Sequence, residues 1–91
     1  MSYGLGVAGD ARADLRAMDI WLQEEFWDEL EHLAANPLLL PAAPSGNDIF
    51  YQFVRDSGGV RHFVTLTIAR NDTGRTITVL GITLRKRRLR L

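Results

Sequence analysis

The sequence contains no cysteine. That excludes a disulfide framework, a thiolate metal site and a thiol nucleophile. No apolar run approaches the roughly 18 residues that a transmembrane helix needs. The opening MSYGLGVAGD has no basic stretch of the kind that starts a signal peptide. The expectation is a cytoplasmic protein with no membrane partner. Histidine is scarce, and His32 and His62 stand 30 residues apart, so no metal site is expected. No glycine-rich nucleotide loop is present, and no cofactor is expected. Lys86 is the only lysine.

What is present fits one small domain spanning residues 1–91, with 46% hydrophobic and 24% charged residues. The formal charge is zero, but each half is short of one sign. Residues 1–50 hold nine acids against Arg12 and Arg16, a net of −7. Residues 51–91 hold nine bases against Asp56 and Asp72, a net of +7. Acidic helices packed beside basic strands account for this, and so does a basic face for nucleic acid or an acidic partner.

Tyr3, Leu5 and Val7 alternate with small residues and suggest a short first strand. Asp10 and Asp19 are candidate N-caps for two helical stretches. Leu15, Met18, Leu22, Phe26, Leu30 and Leu33 step by three and four along one face, with a bend expected near Met18-Asp19. Glu24, Glu25, Asp28, Glu29 and Glu31 read as the solvated side. Trp21 and Trp27 do not both fit the apolar stripe, so at least one is expected at an exposed flank or under another chain. Pro37 ends the helix. The connector at 38–44, LLLPAAP, must lie against something.

From Asn47 on, three segments rich in Val, Ile, Thr, Phe and Tyr follow one another. Ser57-Gly58-Gly59 and Asn71-Asp72-Thr73-Gly74 separate them, the pattern of an antiparallel meander. In the second, Val60, His62, Val64, Leu66 and Ile68 share the core side, and Arg61, Phe63, Thr65 and Thr67 share the other. Gly81 suggests a bulge in the third. The chain closes on RKRRLRL, read either as a solvated end or as a phosphate-binding patch.

Leu30, Leu33, Asn36 and Pro37 at the helix end carry a family resemblance, together with Tyr51 and Phe53, Val60-Arg61, and Ile77, Val79, Ile82 and Arg85. This pattern resembles the RelE/ParE superfamily, the toxins of bacterial toxin–antitoxin pairs. The resemblance implies an α+β fold of order β-α-α-β-β-β: a three- to four-stranded antiparallel sheet with a helical hairpin packed on one face. It implies a cognate antitoxin as partner. It also implies either mRNA cleavage in the ribosomal A site, as in RelE-like toxins, or gyrase poisoning, as in ParE-like ones. Where RelE-type toxins often have His and Tyr near the last strand's end, this sequence has Leu84 and Leu89. Tyr51-Gln52-Phe53-Val54 stands where Y-R-x-R is common.

Metal-independent RNA cleavage needs a base for the 2′-hydroxyl, an acid for the leaving 5′-oxygen, and cations for the charged phosphorane. Arg61 and Arg85 suit the last task, because a guanidinium grips two phosphate oxygens. His62 and Lys86 are the candidates for proton transfer, although His62 on the core side also reads as a buried structural histidine. Tyr51, Arg55, Arg87 and Arg88 are candidate substrate-binding residues. Three readings follow: a ribosome-dependent endoribonuclease, a ParE-like inhibitor that does no chemistry, and a degenerate RNA- or protein-binding member of the fold. RNA or the ribosome is the expected target, and a second copy of the chain stays open as a partner.

Overall fold

The computed structural model describes residues 2–40 and 48–90. In chain order it forms β1 (Gly4–Val7), α1 (Gly9–Ala17), α2 (Ile20–Ala35), a 3-10 turn (Pro37–Leu39), β2 (Ile49–Ser57), β3 (Val60–Asn71) and β4 (Thr76–Arg88). The sheet order is β1-β4-β3-β2. β2, β3 and β4 make the expected antiparallel meander. β1 joins it parallel to β4, so the four-stranded sheet is mixed rather than purely antiparallel. The two helices lie between β1 and the meander in sequence. They carry the chain over the sheet before β2 begins, and such a crossover leaves β1 free to run in the direction of β4.

The joints follow from local chemistry. Gly58 and Gly59 have φ of 60° and 76°, the left-handed pair a two-residue hairpin requires. That loop sets Ser57 opposite Val60 and Asp56 opposite Arg61. At the second joint the Asn71 side chain accepts a hydrogen bond from the Gly74 N–H at 2.9 Å. The ladder shifts so that Thr67 faces Gly81 while Ile68 faces Val79, leaving Leu80 as the extra residue of a bulge. β4 then continues to Arg88, so most of the basic run is strand and not a frayed end.

The helices cover one side of the sheet. Ala11 and Leu15 of α1, Met18 at the bend, and Leu22, Phe26, Leu30 and Leu33 of α2 are buried against Val64, Leu66, Ile68, Ile77 and Val79. The bend falls where expected, with Asp19 at the N-cap position of α2. Asp10 differs from expectation: the N-cap of α1 is Ala8, and Asp10 sits in the first turn, where its charge still suits the helix dipole. The acidic side of α2 is not simply solvated either. Arg55 pairs with Glu25 at 3.2 Å and with Glu29 at 2.9 Å, and the Tyr51 hydroxyl donates to Glu29. Trp27 is 41% exposed, whereas Trp21 is half-buried against the core. In the connector Leu40 is buried but Leu38 and Leu39 are exposed, and residues 41–47 lie outside the described residues. Arg70 holds this turn to the sheet by donating to the Pro37 and Leu40 carbonyls at 3.1 and 3.0 Å.

Candidate nucleic-acid interface

Directly paired strand residues project to the same side of a sheet. Register therefore sorts the basic residues of β2, β3 and β4 into two sets. On the side away from the helices, Asp56, Arg61 and Arg87 form one cross-strand row. Val54, Phe63 and Arg85 form the next, and Gln52, Thr65 and Thr83 the one after. On the helix side the corresponding row is Arg55, His62 and Lys86.

Arg61, Arg85 and Arg87 thus share the uncovered face. Arg61 stands directly opposite Arg87, and Arg85 stands opposite Phe63, one row in from the strand end. The reason is that β4 runs beyond Arg85 to Arg88, which moves the strand end past it. The Arg85 guanidinium stacks on Phe63 with its carbon 5.1 Å from the ring centroid, which fixes an otherwise flexible cation. Arg61 donates from Nε and Nη2 to the two Asp56 carboxylate oxygens at 2.9 and 3.0 Å. That fork holds the Asp56 carboxyl below the usual carboxylate range. At the end of the row, Arg61, Arg87, Arg88, Leu89 and Arg90 line an open hollow of about 790 Å³. Its donors are four arginines, a setting for phosphate oxygens.

The other sequence-derived candidates lie elsewhere. His62 is only 5% exposed, with its ring edge-to-face on Trp21 at 5.0 Å. Its Nδ1 has no hydrogen-bond partner among the described residues. It cannot reach a ligand on the arginine face. Lys86 is its cross-strand neighbour and projects to the same helix side, away from Arg61, Arg85 and Arg87. Tyr51 and Arg55 are bound to Glu29 and Glu25 of α2. Burial, then the hydrogen bond to Glu29, pushes the Tyr51 hydroxyl up to about 12. Two residues of the uncovered face escaped the sequence reading. Asp56 was legible in principle, because a two-residue Gly-Gly hairpin places it opposite Arg61. Phe50, 73% exposed at the far end of β2, had no signal apart from alternation with the buried Ile49 and the half-buried Tyr51.

No family model matches the sequence, and no curated protein matches it. Solved structures do. A mixed four-stranded sheet covered on one side by a two-helix layer is the architecture of the RelE toxins. The chain is similar to an E. coli RelE toxin variant in the free state, at 15% identity and a TM-score of 0.67, over 90% of this chain and 82% of that one. It is similar to the RelBE2 toxin–antitoxin complex of Mycobacterium tuberculosis at 17% identity and a TM-score of 0.66, over 93% of this chain and 100% of that one. The intact E. coli RelBE toxin–antitoxin complex matches at 18% identity and a TM-score of 0.64, over 94% and 100%. The chain has the RelE fold.

Proposed function

We propose that this protein is the toxin of a toxin–antitoxin pair and that it acts on RNA through the uncovered face of its sheet. The observation that carries the reading is the placement of Arg61, Arg85 and Arg87 on that face, with the hollow at its end lined by arginines. Similarity to structures described as toxin–antitoxin complexes supports a cognate antitoxin as partner. In its finer form the reading is a ribosome-dependent mRNA endoribonuclease. The 2′-hydroxyl gives its proton to solvent as its oxygen attacks the adjacent phosphorus, the bond to the 5′-oxygen breaks with that oxygen taking a proton from solvent, and the guanidinium groups stabilise the charge that builds on the phosphoryl oxygens. Within the strands, Asp56 is the one other titratable group of this face among the described residues, and its fork with Arg61 makes it a weak base.

That last point favours a second reading, binding without cleavage as in a ParE-like inhibitor. His62 and Lys86, the candidates for proton transfer, lie on the helix side. Inducible expression in a bacterium, with growth measured and mRNA ends mapped, separates the two. New ends that depend on Arg85 support the nuclease. Growth arrest with no new ends leaves the binding reading. No effect on growth or on mRNA overturns both.

A further inference from the structure

A second site lies along the outer side of β1. This is an edge strand, paired with Thr76–Val79 of β4, whereas Arg85 and Arg87 stand at the other end of β4. Strand hydrogen bonding alternates, so two fixed points settle which β1 residues face β4. The Gly4 N–H donates to the Arg75 carbonyl and the Ala8 N–H to the Val79 carbonyl, both at 2.8 Å. Leu5 and Val7 therefore turn their backbone groups outward. The Val7 carbonyl accepts from Arg12 Nε at 3.0 Å, as that alternation requires. Between this edge and the two helices lies a hollow of about 280 Å³.

Its walls are apolar, formed by Leu5 and Val7 of β1, Leu15 of α1 and Trp27 of α2. Trp27 is largely exposed, yet its ring is held edge-to-face on Phe26 at 5.2 Å. Arg12 and Arg16 also line the hollow. They are the only arginines or lysines of residues 1–50, which hold nine acids. Neither forms an ion pair among the described residues. Arg12 spends Nε on Val7 and keeps both terminal nitrogens, and the Arg16 guanidinium has no hydrogen-bond partner among the described residues. Like charges four residues apart on a helix are destabilising, and for Arg16 no contact within the domain offsets that cost. Gln23 closes the hollow with its amide nitrogen already donated to the Met18 carbonyl at 2.7 Å, so it contributes only an acceptor.

We propose that this hollow binds a small aromatic carboxylate, with its ring against Trp27 and its carboxylate between the Arg12 and Arg16 guanidinium groups. Two guanidinium forks match two carboxylate oxygens. The hollow lies just below the usual volume of small-molecule sites, which suits a body of one or two rings. A nucleoside monophosphate is a poor fit, because its sugar hydroxyls and base edge would meet apolar walls. A peptide strand is a poor fit as well. β1 is only four residues long, and Arg12 already occupies the outward Val7 carbonyl. The bound ligand touches β1, α1 and α2 at once, so it stabilises the folded state by mass action. The site lies away from Arg61, Arg85 and Arg87, and it does not rest on the toxin or RNA reading.

The test is a titration of the isotope-labelled full chain with indoleacetate, followed by its amide and indole N–H resonances. The Leu5, Val7 and Arg16 amides and the Trp27 indole should shift together along one saturable curve, with a Kd of about 1 mM or tighter. The Trp21 indole, packed on His62, should stay in place. Indoleacetamide has the ring without the charge, and acetate the charge without the ring. Each should bind about tenfold more weakly or worse. Arg16→Gln and Trp27→Leu should weaken indoleacetate binding to a similar degree. Trp27→Leu also loses the contact to Phe26, so Arg16→Gln, which removes no bond within the domain, is the deciding variant. The proposal is overturned if indoleacetate shifts nothing at this site, if the shifts fall on Arg61, Arg85 and Arg87 instead, or if the amide binds as well as the acid. It is also overturned if adenosine monophosphate binds here more tightly, or if Arg16→Gln binds like the parent.

Discussion

Replacing Glu29 with alanine should destabilise this domain more than any other change on the acidic side of α2. The Glu29 side chain is only 14% exposed. It accepts from the Tyr51 hydroxyl and from Arg55 Nη2 at 2.9 Å, so it fastens α2 to β2 at two points. A hydrogen bond to a charged group contributes about 1.5–3 kcal/mol, and a half-exposed ion pair adds less than about 1 kcal/mol. Allowing for the solvent that reaches Arg55, Glu29→Ala should cost about 2 kcal/mol, a fall in Tm of roughly 8–16 °C for a chain of this size. Glu24→Ala, on the exposed side of the same helix, is the control and should stay within about 0.5 kcal/mol. Thermal melts of Glu29→Ala, Tyr51→Phe and the double variant should show a coupling of about 1 kcal/mol. If Glu29→Ala melts like Glu24→Ala, then Tyr51 and Arg55 are not held by α2, and their place as substrate-binding residues reopens.

Leu66 is wholly buried between sheet and helices, so Leu66→Asp should leave the chain unfolded by circular dichroism. Gly59→Ala, at φ of 76°, should lose about 1 kcal/mol in chemical denaturation, since alanine is strained there and nothing else changes. The Tyr51 hydroxyl is raised from 10.0 to about 12 by burial and by Glu29. A raised acid favours the folded state while it is neutral, so its contribution is complete below about pH 10 and is lost as pH rises towards 12. Tyr51→Phe should therefore lose less stability than the parent across that interval in melts taken at stepped pH.

Much of this fold was legible because the sequence states the same thing at several levels. Alternation in β3, the Gly58-Gly59 hairpin and the Leu15–Leu33 stripe each fix an element, and their burial agrees. The parallel pairing of β1 was not legible, since four residues with two glycines carry no sign of direction. The site was half legible. Alternation placed Arg61 on the face opposite His62, and the antiparallel turn brought Arg61 near the end of β4. What failed was counting. RKRR reads as a charged tail, yet it stays in register opposite Val60–Phe63, so alternate bases go to opposite sides of the sheet. Arg85 and Arg87 join Arg61, while Lys86 and Arg88 start on the other side. Tyr51 and Arg55 also sit on the covered side, where a polar residue at a core-side position finds its partner on the covering helix.

The central claim is that the arginines of the uncovered face engage RNA phosphates. The direct measurement is binding of a single-stranded RNA oligonucleotide across a series of salt concentrations, for the parent chain and for a variant with Arg61→Ala, Arg85→Ala and Arg87→Ala together. Each phosphate contact on a single strand contributes about 0.7 to the slope of log affinity against log salt, so losing three should flatten it by about 2. Affinity should fall with it, while the melting temperature changes little. A triple variant that binds with the parent's affinity and the parent's salt slope would contradict the claim.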